Sequence, residues 1–105
     1  MIEAKLSSQV ADALANGGAV VALESTLIAH GLPYPDNLAV AKQLEADVLA
    51  IGVVPATIAV INGEIKVGLD ETDLEIIAHG SNIRKIGPRD LAAVITRKES
   101  AATTV

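Results

Sequence analysis

The chain has 105 residues, enough for one small domain spanning 1–105. Half of them are hydrophobic, which excludes a disordered chain, and the net charge of −5 excludes a general nucleic-acid binder. There is no cysteine, so disulfide and thiolate chemistry are excluded as well. The sequence contains one tyrosine and neither phenylalanine nor tryptophan. Its core must therefore be built from Val, Ile, Leu and Ala, as in strands covered by helices on both faces. No apolar run reaches the roughly 18 residues of a membrane span and no signal peptide opens the chain, so the expectation is a cytoplasmic protein.

In chain order, Ser7 or Ser8 can cap a short helix that runs to about Asn16 and is stopped by Gly17-Gly18. Residues 19–23 read as a buried strand. Asp36 is expected to cap the next helix, with Val40, Leu44, Val48 and Ile51 as its inward stripe beside Ala41, and Gly52 at its end. "TIAVINGEIKVG", residues 57–68, is a β-hairpin whose Asn62-Gly63 turn pairs Val60 with Ile65 and Ile58 with Val67. Glu64 and Lys66 on the other face suggest a partly exposed edge strand. Asp70 caps a helix to about His79, with Leu69 and Leu74 as a hydrophobic staple and Gly80 as its stop. An extended piece, Asn82 to Ile86, precedes Gly87-Pro88, and a last helix turns Leu91, Val94 and Ile95 inward. The order predicts an α/β fold, a layered α/β/α sandwich, here an incomplete N-terminal part of the sheet. A sheet this rich in Val and Ile expects more layers than these helices supply, so the chain is read as cut short or completed by partner chains.

Three places could carry chemistry. Glu24 closes the strand "VVAL", and in α/β sheets functional groups gather at strand carboxyl ends, where a partly dry crevice suits a general acid; the alternative is a strand-end glutamate in solvent or paired with a base. Lys85 ends an extended segment just before a Pro-started helix, where it can meet an anion or simply face solvent. "AATTV", residues 101–105, reads as a loop of small side chains whose backbone N–H groups and two hydroxyls suit a phosphate or uracil edge, or only close packing. His30-Gly31 and Pro33-Tyr34-Pro35 make a stiff loop after Glu24, read as structural. Five of the eight Lys and Arg fall between positions 84 and 98 with one acid, Asp90: a local anion site or a solvated helix face. His30 and His79 lack ligand-like spacing for a metal.

Together "ALESTLIAHGLPYPDN", "VPATIAVINGEIKVGL", "NIRKIGPRDL" and "AATTV" resemble the pseudouridine-5′-phosphate glycosidase family, also called indigoidine synthase A-like, in register from about Ser8 to Val105. Around Lys85 many relatives have Ser-Arg where this chain has Gly87-Pro88. The resemblance implies reversible cleavage of pseudouridine 5′-phosphate to uracil and ribose 5-phosphate, through a ring-opened sugar held as a lysine Schiff base, with manganese (Mn2+) near the substrate. It implies Glu24 as proton donor, Lys85 as a substrate-binding residue through the anionic part, and a backbone contact from Val105. It also implies a homotrimer, and places the Schiff-base lysine and the manganese-binding aspartate beyond the match to Val105, since Lys98 does not match the nucleophile. The isolated chain is therefore expected to be inactive. The competing reading is a noncatalytic α/β module that binds a nucleotide or sugar phosphate; an O-glycosidase lacks a second acid of comparable placement.

Overall fold

A computed structural model describes residues 3–104. Its elements are β1 (Ala4–Leu6), α1 (Ser8–Ala15), β2 (Val20–Leu23), α2 (Thr26–His30), α3 (Asp36–Ala50), β3 (Val54–Ile61), β4 (Glu64–Val67), α4 (Glu71–His79), β5 (Arg84–Ile86), a 3-10 turn (Pro88–Asp90), α5 (Leu91–Thr96) and β6 (Ala101–Thr103). The six strands form one sheet in the order β1-β4-β3-β6-β5, with β2 joined to β3.

Local chemistry accounts for the most sharply defined elements. Asn62 and Gly63 both take positive φ, 49° and 81°, the geometry that a two-residue hairpin turn needs. The hairpin register is the expected one, Val60 opposite Ile65 and Ile58 opposite Val67. Asp70 accepts a hydrogen bond from the Asp73 N–H at 2.8 Å, Asp73 reaches back to the Asp70 N–H, and Gly80 closes α4 in the left-handed conformation. Ser7 caps α1 by accepting from the Val10 N–H at 3.2 Å.

The hydrophobic core lies in two layers. On one face of the sheet Ala59, Ile61 and Ala102 pack against Ile28 of α2, Leu38 and Ala41 of α3, and Leu74 and Ile77 of α4. On the other, Val60, Ile86 and Ala101 pack against Val94 of α5. Helices thus cover both faces, as the apolar strands and the near absence of aromatics predict. Among the described residues no helix is long and apolar enough to cross a membrane.

Five expectations need correction. The strand expected to be buried, β2, is half-buried at its ends and exposed at Val21 and Ala22, since it pairs with β3 at the margin of the sheet. The hairpin's second strand is not an edge, because β1 pairs with it in parallel and Lys5 meets Glu64 at 2.8 Å. Lys66 is correspondingly half-buried and ion-paired with the buried Asp73 at 3.2 Å. Pro35, not Asp36, occupies the N-cap of α3. That helix turns Asn37, Leu38 and Ala41 inward, while Val40, Leu44 and Ile51 are exposed, Ile51 by 77%. Rotation of the stripe follows from Asn37, whose side-chain amide donates to the carbonyls of Ile28 (2.8 Å) and Ala78 (2.6 Å) and so locks α3 to the ends of α2 and α4. Lastly, "AATTV" is not a loop: residues 101–103 form β6 between β3 and β5.

Candidate active site

The site follows from how two strands share one edge of β3. β2 runs parallel to β3 and pairs with Val54–Thr57, ending at Leu23 opposite Thr57. β6 runs antiparallel to β3 and pairs Ala102 with Ala59 and Ala101 with Val60. β4 holds the other edge, so β2 and β6 run head-on and their carboxyl ends meet beside Ile58. Two strand ends that converge in this way leave backbone groups without ladder partners, and this is where an α/β sheet opens a crevice.

Ser25 fills the junction. It is fully buried, and its hydroxyl donates to the Ile58 carbonyl at 2.6 Å while accepting from the Thr103 N–H at 2.9 Å. Its own N–H donates to the Thr103 carbonyl at 3.1 Å. The Thr26 hydroxyl donates to that same carbonyl at 2.9 Å, and the Thr103 hydroxyl donates to Ile58 O at 2.7 Å. Four of these bonds tie the segment that follows β2 to the end of β6 or to β3 beneath both, and the fifth ties the end of β6 to β3. The clasp sets the position of the residues on either side of it, Glu24 and Thr104.

Glu24 is exposed at the lip of this junction, where the Thr104 hydroxyl donates to its Oε2 over a long 3.4 Å. It borders a crevice of about 120 Å3 lined also by Ala22, Leu23, Ile58, Thr103 and Thr104. Behind it lies an apolar cleft walled by Leu27, Leu32, Val40 and Leu44, with Glu24 at its edge. The carboxylate is thus accessible while one side of its surroundings is apolar. The expected dry crevice is present on that one side only.

Lys85 stands in β5, exposed, with Ala102 of β6 as its register partner. By strand alternation it shares a row with Ala102 and Ala59, whereas Ile86, Thr103 and Ile58 occupy the next row and the opposite face. The structure therefore brings Glu24 and Thr104 into contact and sets Lys85 one strand away, outside the linings of the two crevices that Glu24 borders. Val105 lies outside the described residues. Among the described residues no three His, Cys, Asp or Glu side chains come together as a metal cluster.

The stiff loop after α2 forms the cleft's outer wall through Leu32. Tyr34 stacks on His79 with ring centroids 4.2 Å apart, and its hydroxyl donates to Glu75 at 3.2 Å. The Glu75 carboxylate pushes the Tyr34 phenol above its usual range. Ser25, Thr26 and Asn37 are the residues that reading the sequence missed. A Ser-Thr pair directly after a strand was a signal for Ser25 and Thr26, and an Asn in the first turn of a helix was one for Asn37.

A family model described as indigoidine synthase A like protein matches residues 9–105. The chain belongs to this family. The resemblance carried by the four motifs is thereby borne out. An indigoidine synthase A-like chain of this kind has curated relatives with the name pseudouridine-5′-phosphate glycosidase. One from Nocardioides sp. is 50% identical over 95% of this chain and 33% of its own length. Another, from Arabidopsis thaliana, is 51% identical over 96% of this chain and 31% of its own. Among solved structures, a prealnumycin C-glycosynthase in complex with ribulose 5-phosphate superposes with a TM-score of 0.83 at 36% identity, over 97% of this chain and 32% of that one. An indigoidine synthase A-like protein from Thermotoga maritima gives 0.83 at 26% identity, over 99% and 33%. The chain spans about a third of the length of the relatives it matches.

Proposed function

We propose that the chain carries the proton donor and part of the substrate cradle of a pseudouridine-5′-phosphate glycosidase. The observation that supports this most is the head-on meeting of β2 and β6, which sets an accessible carboxylate beside a short, hydroxyl-bearing strand end. In pseudouridine the bond to be broken joins two carbons, so no leaving oxygen is available for protonation. The proton goes instead from the Glu24 carboxyl to the uracil carbon that held the sugar. The electron pair of the broken bond leaves with the base, and C1 of the sugar becomes electron-poor. In this reading a Schiff base to a lysine beyond the matched register takes up that deficiency. Lys85 neutralises the anionic end of the substrate, and Val105 adds a backbone contact. The described residues gather no cluster that fits manganese, so no step here runs through it. A cytoplasmic homo-oligomer, a trimer by family resemblance, completes the proposal.

The test is uracil release from pseudouridine 5′-phosphate in heavy water. The chain alone should release none. Supplied with a polypeptide that matches the remaining part of its relatives, it should give uracil deuterated at the carbon that held the sugar. Glu24→Gln should lower that rate by about 10²–10⁴-fold. Undiminished turnover by Glu24→Gln overturns the role of the acid, and release by the unaided chain overturns the placement of the nucleophile.

A further inference from the structure

A second hollow lies away from Glu24, at the other end of β3. Asn62, the turn residue directly after β3, stands four residues beyond Ile58, about 13 Å away at the usual strand rise. The hollow has a volume of about 740 Å3, within the range of small-molecule sites. Its polar wall is made by Asn62, Ser81, Asn82, Arg84, Glu99 and Ser100, and its apolar part by Ile76 and Ile83.

Two of the connections that build this wall, the β3–β4 turn and the α5–β6 segment, brace each other, and the β5–β6 ladder holds Arg84 beside them. The Asn62 N–H donates to Ser100 Oγ at 3.0 Å, the Gly63 N–H to the Glu99 carbonyl at 2.9 Å, and the Glu99 N–H to the Val94 carbonyl at 3.0 Å. The backbone is thus fixed by its own hydrogen bonds while most of the polar side chains remain uncommitted. Among the described residues the Arg84 guanidinium has no carboxylate partner, and the side chains of Asn62, Ser81 and Asn82 make no hydrogen bond. Oε1 of Glu99 is buried with no donor to it. A carboxylate oxygen left without a donor is unfavourable, and because Glu99 lines the hollow, positive charge brought into the hollow lowers that cost by attraction through space.

We propose that this hollow binds a free α-amino acid with an apolar side chain. Its carboxylate lies against the Arg84 fork, its ammonium faces Glu99, and its side chain rests on Ile76 and Ile83. The charge pattern selects this class. A phosphate is repelled by Glu99 and a simple cation by Arg84, whereas a zwitterion meets one charge of each sign. The braced loops are set before the ligand arrives, so little ordering opposes binding. The site is separate from the glycosidase reading and stands or falls without it.

Titration of the 15N-labelled chain with L-leucine tests the assignment. Amides of Asn62, Ser81, Asn82 and Ser100 should shift saturably, while those of Ser25 and Thr103 should not. Leucinamide, which lacks the carboxylate, and N-acetyl-L-leucine, which lacks the ammonium, should each bind about ten- to a hundredfold more weakly. Arg84→Gln, at an exposed position that folding does not need, and Glu99→Gln should weaken L-leucine by similar factors, each in a chain whose spectrum is otherwise native. Binding of both analogues as tightly as L-leucine, shifts that persist in both variants, or the absence of any saturable shift at these amides overturns the proposal.

Discussion

Ser25→Ala is the sharpest probe of the strand junction. The substitution removes one hydroxyl oxygen that donates to Ile58 O at 2.6 Å and accepts from the Thr103 N–H at 2.9 Å. The Ile58 carbonyl keeps a donor, because the Thr103 hydroxyl still reaches it at 2.7 Å. The Thr103 N–H keeps none, and it sits where Ser25 is wholly shielded from solvent. One lost hydrogen bond of about 1 kcal/mol and one orphaned donor costing about 1–3 kcal/mol give a destabilisation of about 2–4 kcal/mol. Against a total stability of roughly 5–15 kcal/mol this is a large share. Urea unfolding should therefore show a lower midpoint with an unchanged slope, since the surface exposed on unfolding is the same. Hydrogen exchange should report the loss locally, with the Thr103 amide losing more protection than amides of the β3–β4 hairpin. A stability change below about 0.5 kcal/mol together with undisturbed Thr103 protection refutes the reasoning, because it means the hydroxyl does not hold the two strand ends together.

Other consequences are as specific. At Gly63 φ is +81° and an added Cβ lies 2.8 Å from Lys98 Cα, so Gly63→Ala should cost about 2–4 kcal/mol in thermal or urea unfolding. Gly52 has the same sign of φ, +83°, with open space around it, so Gly52→Ala should cost only about 1 kcal/mol; equal losses would show that the packing argument is mistaken. Glu64 and Glu71 are held below the ordinary glutamate value of 4.5, first by side-chain hydrogen bonds from Lys5 and Lys42 and then by the charges of those lysines. A carboxyl lowered on folding contributes stability that is present above the unfolded value and is lost as pH falls through the folded one. Stability should thus decline as pH drops below about 4.5, and Lys5→Met with Lys42→Met should flatten that decline; an unaltered acid limb in the double variant would remove these pairs from the account.

Much of the fold was legible because single residues carried it. Asn62-Gly63 fixed the hairpin and its register, and Asp70 and Gly80 marked both ends of α4. Elements that depend on partners distant in sequence were not legible. β1 is three exposed residues whose only reason to be extended is the ladder to β4. β6 reads as a small-residue loop until β3 and β5 supply a ladder on either side. Helix α2 has five residues, too few for a periodic pattern to show. The misassigned face of α3 has the same origin, since hydrophobic spacing alone favoured Val40 and Leu44 while a buried amide, Asn37, decided the rotation. At the site, Glu24 stood out as an acid closing an apolar strand. Ser25 did not, because its importance comes from the head-on approach of β6, which pairs residues 78 positions apart.

The most direct test of the central claim is the footprint of pseudouridine 5′-phosphate on the amide spectrum of this chain. If the junction of β2 and β6 is a substrate cradle, the shifts should centre on Glu24, Ser25, Thr26, Thr103 and Thr104, extend to Lys85, and diminish in Lys85→Ala. A saturated footprint centred elsewhere, or none at all, would contradict the account.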